Sequence, residues 1–190
     1  TYTVQSGDSS SDLTVSSIAL SAGTLTDAAR TTMGKFGIAT SLAAGKALDI
    51  DATAPTNTSV SSSTADGTYG TGETIDIRVH FSEAVTLAGG SLVVPLETGS
   101  TDRILTLSSI SGATSASGTY TVASDENSSD LTVRFIDLSG TLADAAGNAM
   151  SNFSIAANLA DRKALGLDGT APSDTPVTSP TPDGTSGGGG

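Results

Sequence analysis

The chain contains no cysteine and no tryptophan among its 190 residues, and only 4% of the residues are aromatic. The absence of cysteine excludes a stabilising disulfide, a thiolate metal ligand and a thiolate nucleophile. Because large aromatic side chains are few, a core must be built from valine, isoleucine and leucine, which favours β-sheets. No apolar run approaches the roughly 18 residues of a transmembrane helix, so the sequence predicts no membrane insertion.

Positive charge is also scarce, since 8 lysines and arginines face 20 aspartates and glutamates and the net charge is −12. Such a surface repels phosphate backbones and anionic lipids, so we expect no nucleic acid partner. Divalent cations are the better candidates.

Two stretches of the chain, 1–55 and 119–172, are copies of one segment. Both begin with Thr-Tyr-Thr-Val, continue through Ser-Ser-Asp-Leu-Thr-Val or its near match, and end in Thr-Ala-Pro. More than half of the aligned positions are identical, with Ala22 as the one inserted residue. A separation of about 117 residues exceeds solenoid periods, so each repeat should be a whole domain. The sequence therefore predicts a C-terminal half-repeat at 1–55, a complete repeat at 56–172, and a Pro/Thr/Gly-rich linker or tail at 173–190.

Alternating apolar residues indicate strands throughout. The clearest is 74–81, where Ile75, Ile77, Val79 and Phe81 should face a core from a central position. In 91–97 the inward residues should be Leu92, Val94 and Leu96, with Pro95 restricting the strand to an edge or a bulge. In the half-repeat we expect strands at 1–4, 12–15, 18–20 and 46–50. Short strands separated by turn signals predict an all-β sandwich.

Three motifs support a family resemblance. The sequence Gly72-Glu-Thr-Ile-Asp-Ile-Arg-Val-His-Phe-Ser-Glu-Ala-Val, Gly-Thr-Leu-Ala-Asp-Ala-Ala-Gly-Asn at 140–148 and Asp-Gly-Thr-Ala-Pro at 168–172 resemble the tandem Ig-like, cadherin-like repeats of large bacterial cell-surface adhesin or filament proteins. The resemblance covers nearly all of 1–172. It implies an Ig-like β-sandwich, a spacer or shaft role outside the cell, and calcium at the junctions. Since Arg30-Thr31 replaces Gly147-Asn148, we expect that turn to differ between the copies.

The acidic residues near the junctions are candidate calcium ligands, because calcium takes six to eight oxygens and a junction can gather them from both neighbours. Asp144 and Asn148 could also hold a cation, but we favour an Asx-type turn there. The alternative for all these acids is that they form turns and carry solvated charge. The predicted ligands are Asp49, Asp51, Asp66, Glu73, Asp102 and Asp168.

Catalytic signals are weak. His80 is the only histidine, and the sequence supplies no nucleophile elbow to accompany it. No spacing selects a pair of carboxylates for acid–base chemistry. We therefore predict that the protein is not an enzyme.

Two functions remain open. The first is an extracellular structural or adhesive module, in which repeats join head to tail as a rod, shaft or fibre. Its partners are neighbouring repeats or identical subunits, which could exchange strands with the half-repeat. The rival explanation of the half-repeat is that 1–56 is an excerpt of a longer protein, in which case strand exchange is not needed. The second is a binding module that recognises a glycan or a partner protein through the loops at 64–73 or 98–102.

Overall fold

The computed structural model describes residues 1–174, so the predicted linker at 173–190 lies outside the described residues except for its first two positions. The described chain is almost entirely β, as predicted, with one helix of four residues, α1 (Leu42–Gly45). None of its helices is long and apolar enough to cross a membrane. The strands are β1 (Ser9–Ser10), β2 (Ile50–Asp51), β3 (Asn57–Ser61), β4 (Gly67–Gly70), β5 (Thr74–Leu96), β6 (Arg103–Leu107), β7 (Ala113–Thr121), β8 (Asn127–Ser128), β9 (Asp137–Ala143) and β10 (Leu165–Asp168).

Strand β5 organises the complete repeat because it takes part in two sets of pairings. Its first part is antiparallel to β3 and β7, and its second part is antiparallel to β6 and β9. A further sheet places β10 between β4 and β8. The arrangement is consistent with an all-β sandwich.

The core forms from the alternation that the sequence predicts. Ile75, Ile77 and Val79 are fully buried, and the inward residues of the second part of β5 are buried to the same degree. Every residue of this hydrophobic core lies between Val60 and Leu167. Pro95 pairs with β6, but the ladder with β9 has already ended at Val93. Its missing N–H therefore removes no bond from that ladder.

The second part of β5 carries a glycine pair that meets a third glycine on β9. Gly90 has φ +65°, and a Cβ there would lie 1.9 Å from the carbonyl oxygen of Ser139. A Cβ on Gly140, which has φ +102°, would lie 2.1 Å from the carbonyl oxygen of Gly89. The pairing of β5 with β9 shifts register at this point. Only residues without a side chain allow the two backbones to approach so closely.

Several backbone hydrogen bonds recur at matched positions in the two copies. Each copy joins its first loop to its last strand, and each closes the same turn. With the donor first, the matched pairs are Gly7–Ala52 (3.1 Å) and Asp125–Gly169 (3.0 Å), Leu13–Leu48 (2.8 Å) and Leu131–Leu165 (2.7 Å), and Met33–Leu25 (2.8 Å) and Met150–Leu142 (2.8 Å).

The turn that we expected to differ between the copies is the same in both, so that expectation is wrong. In each copy the backbone N–H four positions on donates to the aspartate carboxylate, from Thr31 to Asp27 and from Asn148 to Asp144, both at 2.8 Å. Arg30 adopts φ +66° where Gly147 has φ +92°. The aspartate holds the turn firmly enough that an arginine enters the left-handed region.

Most strands predicted in the half-repeat do not form. Residues 1–4, 12–15 and 18–20 are not in strands, and β1 and β2 pair over two residues each. In the complete repeat, β5 pairs with the counterparts of 1–4 and 18–20, whereas the counterpart of 12–15 makes only an isolated bridge. An extended segment without a neighbouring strand has no ladder to complete, so the apolar alternation alone does not produce a strand.

Candidate metal centre at the repeat junction

Three carboxylates meet where the half-repeat joins the complete repeat. Asp51 ends β2, Glu83 lies within β5, and Asp144 directly follows β9. Each offers one oxygen so that all three lie within 4.8 Å of one another. Among the described residues, no lysine or arginine forms an ion pair with any of them. The negative charge of this cluster is therefore not neutralised by the residues that the structure describes.

Asp144 is held in place by the turn that follows it. Asn148 donates its backbone N–H to Oδ1 and its side-chain amide to Oδ2, each at 2.8 Å. Burial raises the pKa of Asp144, but the hydrogen bonds from Asn148, Gly147 and Ala146 outweigh it and hold the pKa below its usual value. The predicted Asx-type turn is therefore present, and it presents an ionised carboxylate to the junction.

Asn148 also connects the two repeats directly. The amide that donates to Asp144 donates as well to the backbone carbonyl of Asp51, at 3.0 Å. Because this contact joins residues 97 positions apart in sequence, it places the end of the half-repeat against the complete repeat. The carboxylates of the cluster thus come from both sides of the junction, as a calcium site between two domains requires.

Glu83 experiences the charge of its neighbours. It is half-buried between the buried positions Phe81 and Val85, where the pairing of β5 with β7 is irregular. Partial burial raises the pKa of Glu83, and the carboxylates of Asp51 and Asp144 raise it further. A divalent cation between the three groups would remove this repulsion.

Of the six predicted ligands, the structure brings two to this junction. Asp51 belongs to the cluster, and Asp49 lines the same cleft together with Glu83. Asp49 is not one of the three clustered carboxylates, which together could supply part of a calcium coordination shell.

The other four predicted ligands are outside the cluster and have other partners. The Asp66 carboxylate lies 3.2 Å from Nζ of Lys163, and Glu73 accepts the backbone N–H of Gly70 at 2.6 Å. Asp102 pairs with Arg134 at 2.5 Å. Asp168 accepts the backbone N–H of Thr170 at 3.2 Å. In these positions the acids stabilise turns and ion pairs, which is the alternative that the sequence left open.

Sequence reasoning missed Glu83 and underrated Asp144. Asp144 carried a usable signal, because Asp27 occupies the same position in the first copy. Glu83 lies in the part of the repeat that occurs only once in this chain, so no second copy singled it out. Its role depends on an irregular strand that the alternation does not reveal.

His80 has a partner that the sequence did not suggest. Oγ of Ser61 lies 2.8 Å from Nε2 of His80 across the antiparallel pair β3–β5. Burial lowers the pKa of His80, and the nearby charges of Arg78 and Arg162 lower it further. Among the described residues no carboxylate binds the other ring nitrogen, so the orienting group of a catalytic triad is missing there.

Comparison with models of protein families, with curated proteins and with solved structures finds no match for this chain.

Proposed function

We propose that this chain is a structural or adhesive module of an extracellular rod on the bacterial cell surface, built from Ig-like β-sandwich repeats that join head to tail with calcium at the junctions. The role is mechanical, and no residue does chemistry. The observation that carries the proposal is the acidic cluster, in which Asp51 of one repeat meets Glu83 and Asp144 of the next within 4.8 Å.

The complete repeat has acidic residues for a junction of this kind at both of its ends. Asp168 ends β10 as Asp51 ends β2, and it occupies the same position in the alignment of the two copies. A complete repeat therefore carries Glu83 and Asp144 for one neighbour and Asp168 for the next. A contact of this head-to-tail kind does not close on itself and builds an extended chain.

Calcium would also offset two destabilising features of the composition, the absence of disulfides and the excess of negative charge. The chain has no disulfide, and its net charge of −12 repels one repeat from the next. A divalent ion bound by both neighbours neutralises part of that charge and fixes the junction.

Thermal unfolding of the full chain in calcium and in chelator tests the proposal. We expect 1 mM calcium to stabilise the fold by about 0.4 to 1.4 kcal/mol, since extracellular calcium modules bind in the range of roughly 0.1 to 1 mM. The melting temperature should rise by several degrees. Magnesium should stabilise less, because it demands stricter octahedral geometry.

Two substitutions define the site. Glu83→Gln should abolish the calcium response, whereas Asp102→Asn should retain it because Asp102 is paired with Arg134. Equal melting in calcium and chelator would remove the metal from the proposal. If Glu83→Gln kept the full rise of melting temperature in calcium, the calcium would have to bind at another site.

A further inference from the structure

Strand β7 is the longest of the described strands that pair along one side only. Its partner on that side is β5, from Thr74 opposite Thr121 to Val85 opposite Ala113. No turn or loop of the described chain forms a backbone hydrogen bond to 113–121. The N–H and C=O groups along the other side of β7 therefore lack backbone partners within 1–174, and such a row of groups can pair with a further strand.

A cleft keeps this edge of β7 accessible. Two cavities of about 350 and 340 Å³ lie between β6 and β7, and both are lined by Leu105 and Thr119. Side chains of β6 reach the inner side of β7 at Gly118, where a Cβ would lie 2.8 Å from Leu107. Within the described part of the chain, however, β6 and β7 do not pair with each other. The cleft therefore leaves the edge of β7 open to another strand.

The edges of β3, β9 and β6 carry protection that β7 lacks. The N–H of Val60 in β3 donates to Ala157 at 2.9 Å, and the N–H of Met150 donates to Leu142 of β9 at 2.8 Å. Strand β6 has five residues and begins with Arg103. Strand β7 has nine residues, ATSASGTYT, without a charge or a proline. Short length, charge and proline are the devices that prevent edge-to-edge pairing, so β7 is the edge best able to pair.

The sequence of β7 is complementary to itself. Antiparallel pairing about the middle of the strand sets Ser117 opposite Ser117 of a second copy and Thr119 opposite Ser115. Ser117 and Thr119 are both exposed, and cross-strand pairs of serine and threonine stabilise sheets by hydrogen bonding. In a chain of net charge −12, β7 contributes none of the charge that would make two copies repel each other.

We propose that β7 is a lateral interface with a second copy of this chain, in which the two β7 strands pair antiparallel about a twofold axis. Such a contact uses the same surface on both partners and closes as a dimer. The head-to-tail junction of the proposed function lengthens a rod, whereas β7 links two rods side by side. The inference does not use the calcium site, so the two can be tested separately.

Sedimentation equilibrium of the full chain in chelator tests the proposal. The range is about 10 μM to 1 mM, because an interface made by one strand edge is small and weak. We expect a reversible dimer at physiological salt. The amides of 113–121 that exchange rapidly in dilute solution should gain about tenfold or more in protection at the highest concentration. The amide of Leu131, which donates to Leu165 within the repeat, is the reference and should not change.

A charge swap at the middle of β7 shows whether the strands meet there. Ser117→Lys and Ser117→Glu each set like charges opposite each other, so each alone should weaken the dimer by about tenfold or more. An equimolar mixture of the two variants should dimerise again, because opposite charges then face each other. Thr58→Lys makes the same change of charge at an exposed residue of β3, on the far side of β5, and should leave the dimer intact. Melting of each variant in dilute solution verifies its fold.

Four results would overturn the proposal. A monomer over the whole range in chelator excludes the β7 dimer, and a dimer that forms only in calcium assigns the contact to the acidic junction. A dimer that survives both Ser117 substitutions lies on another surface. Failure of the mixed variants to dimerise shows that the substitutions act on something other than strand pairing. Protection of the β7 amides that is already complete in dilute solution assigns the edge to a segment of the same chain.

Discussion

At the scale of single residues, we expect ionised Glu83 to destabilise the fold without a metal and to stabilise it when a cation is bound. Its pKa is raised by burial and by the two neighbouring carboxylates. A carboxyl whose pKa is raised in the folded state contributes stability that is present below its unfolded pKa and is lost as pH rises through the folded value. At neutral pH and without calcium, the ionised Glu83 therefore opposes folding.

We predict that Glu83→Gln raises stability in chelator at pH 7 by a few tenths to about 1 kcal/mol, because this partly exposed site is screened by solvent. In calcium the same variant should be less stable than the parent chain. Urea unfolding under both conditions measures this crossover. The same sign of change with and without calcium would contradict it.

Glu126 is a buried carboxylate in a hydrogen-bond network that both copies contain. It is 5% exposed and accepts bonds from the Tyr120 hydroxyl, the Arg103 guanidinium and, at 2.7 Å, the Ala123 backbone N–H. Burial raises the pKa of Glu126, but these bonds outweigh it and hold the pKa below its usual value. In the first copy Asp8 makes the matching bonds with Tyr2 and Gln5.

We predict that Glu126→Gln costs about 1 to 3 kcal/mol at pH 7, since it weakens charge-assisted bonds in a buried site. Asp8→Asn is the matched control, and it should change stability much less than Glu126→Gln because the bonds of Asp8 with Tyr2 and Gln5 are exposed to solvent. Denaturant unfolding of both variants measures the difference, and equal losses would contradict it.

The pH dependence of the same variant has a definite sign. Because the folded pKa of Glu126 lies below its unfolded value, the stabilisation is present above the usual carboxyl pKa and is lost as pH falls through the folded value. The stability gap between the parent chain and Glu126→Gln should therefore narrow as the pH falls below the usual carboxyl pKa. A gap that widens toward acid would refute the assignment.

At the scale of elements, the register shift between β5 and β9 requires glycine at two positions for different reasons. Gly89 has φ +70° but open space where a Cβ would stand, whereas Gly90 faces the Ser139 carbonyl. Gly89→Ala should cost about 1 to 2 kcal/mol for the left-handed backbone alone. Gly90→Ala should cost more than Gly89→Ala, because the backbones must separate as well. Calorimetric unfolding tests this order, which would be wrong if the two losses were equal.

The strands show what the sequence could and could not predict. Alternation located Ile75, Ile77 and Val79 because β5 has neighbours on both sides, so an apolar face meets a core. The same alternation around Val15 predicted a strand that does not form, and the matching Val133 of the complete repeat makes only an isolated bridge to Leu96. Asp51 was found from its place before a junction. Glu83 was not, because its position depends on an irregularity in β5 that arises from tertiary contacts.

At the scale of the whole molecule, charge and repeat structure act together. The net charge of −12 and the three carboxylates at the junction make adjacent repeats repel each other at low ionic strength. Monovalent salt screens this repulsion, with a screening length of about 8 Å at physiological strength. Salt alone should therefore recover part of the stability that chelation removes, although it cannot coordinate the carboxylates.

The number of calcium ions bound should follow the number of junctions and not the number of aspartates. In this chain Glu83 and Asp144 meet Asp51 and not Asp168, so Asp51→Asn should abolish calcium binding and Asp168→Asn should leave it intact. In a longer chain with the complete repeat, 56–172, present twice in tandem, Asp168 of the first copy should meet the Glu83 and Asp144 positions of the second. Titration calorimetry should then detect one further calcium, and Asp168→Asn in the first copy should remove it. Equal calcium numbers in the shorter and longer chains would contradict head-to-tail propagation, because a repeat that adds no site adds no junction of this kind.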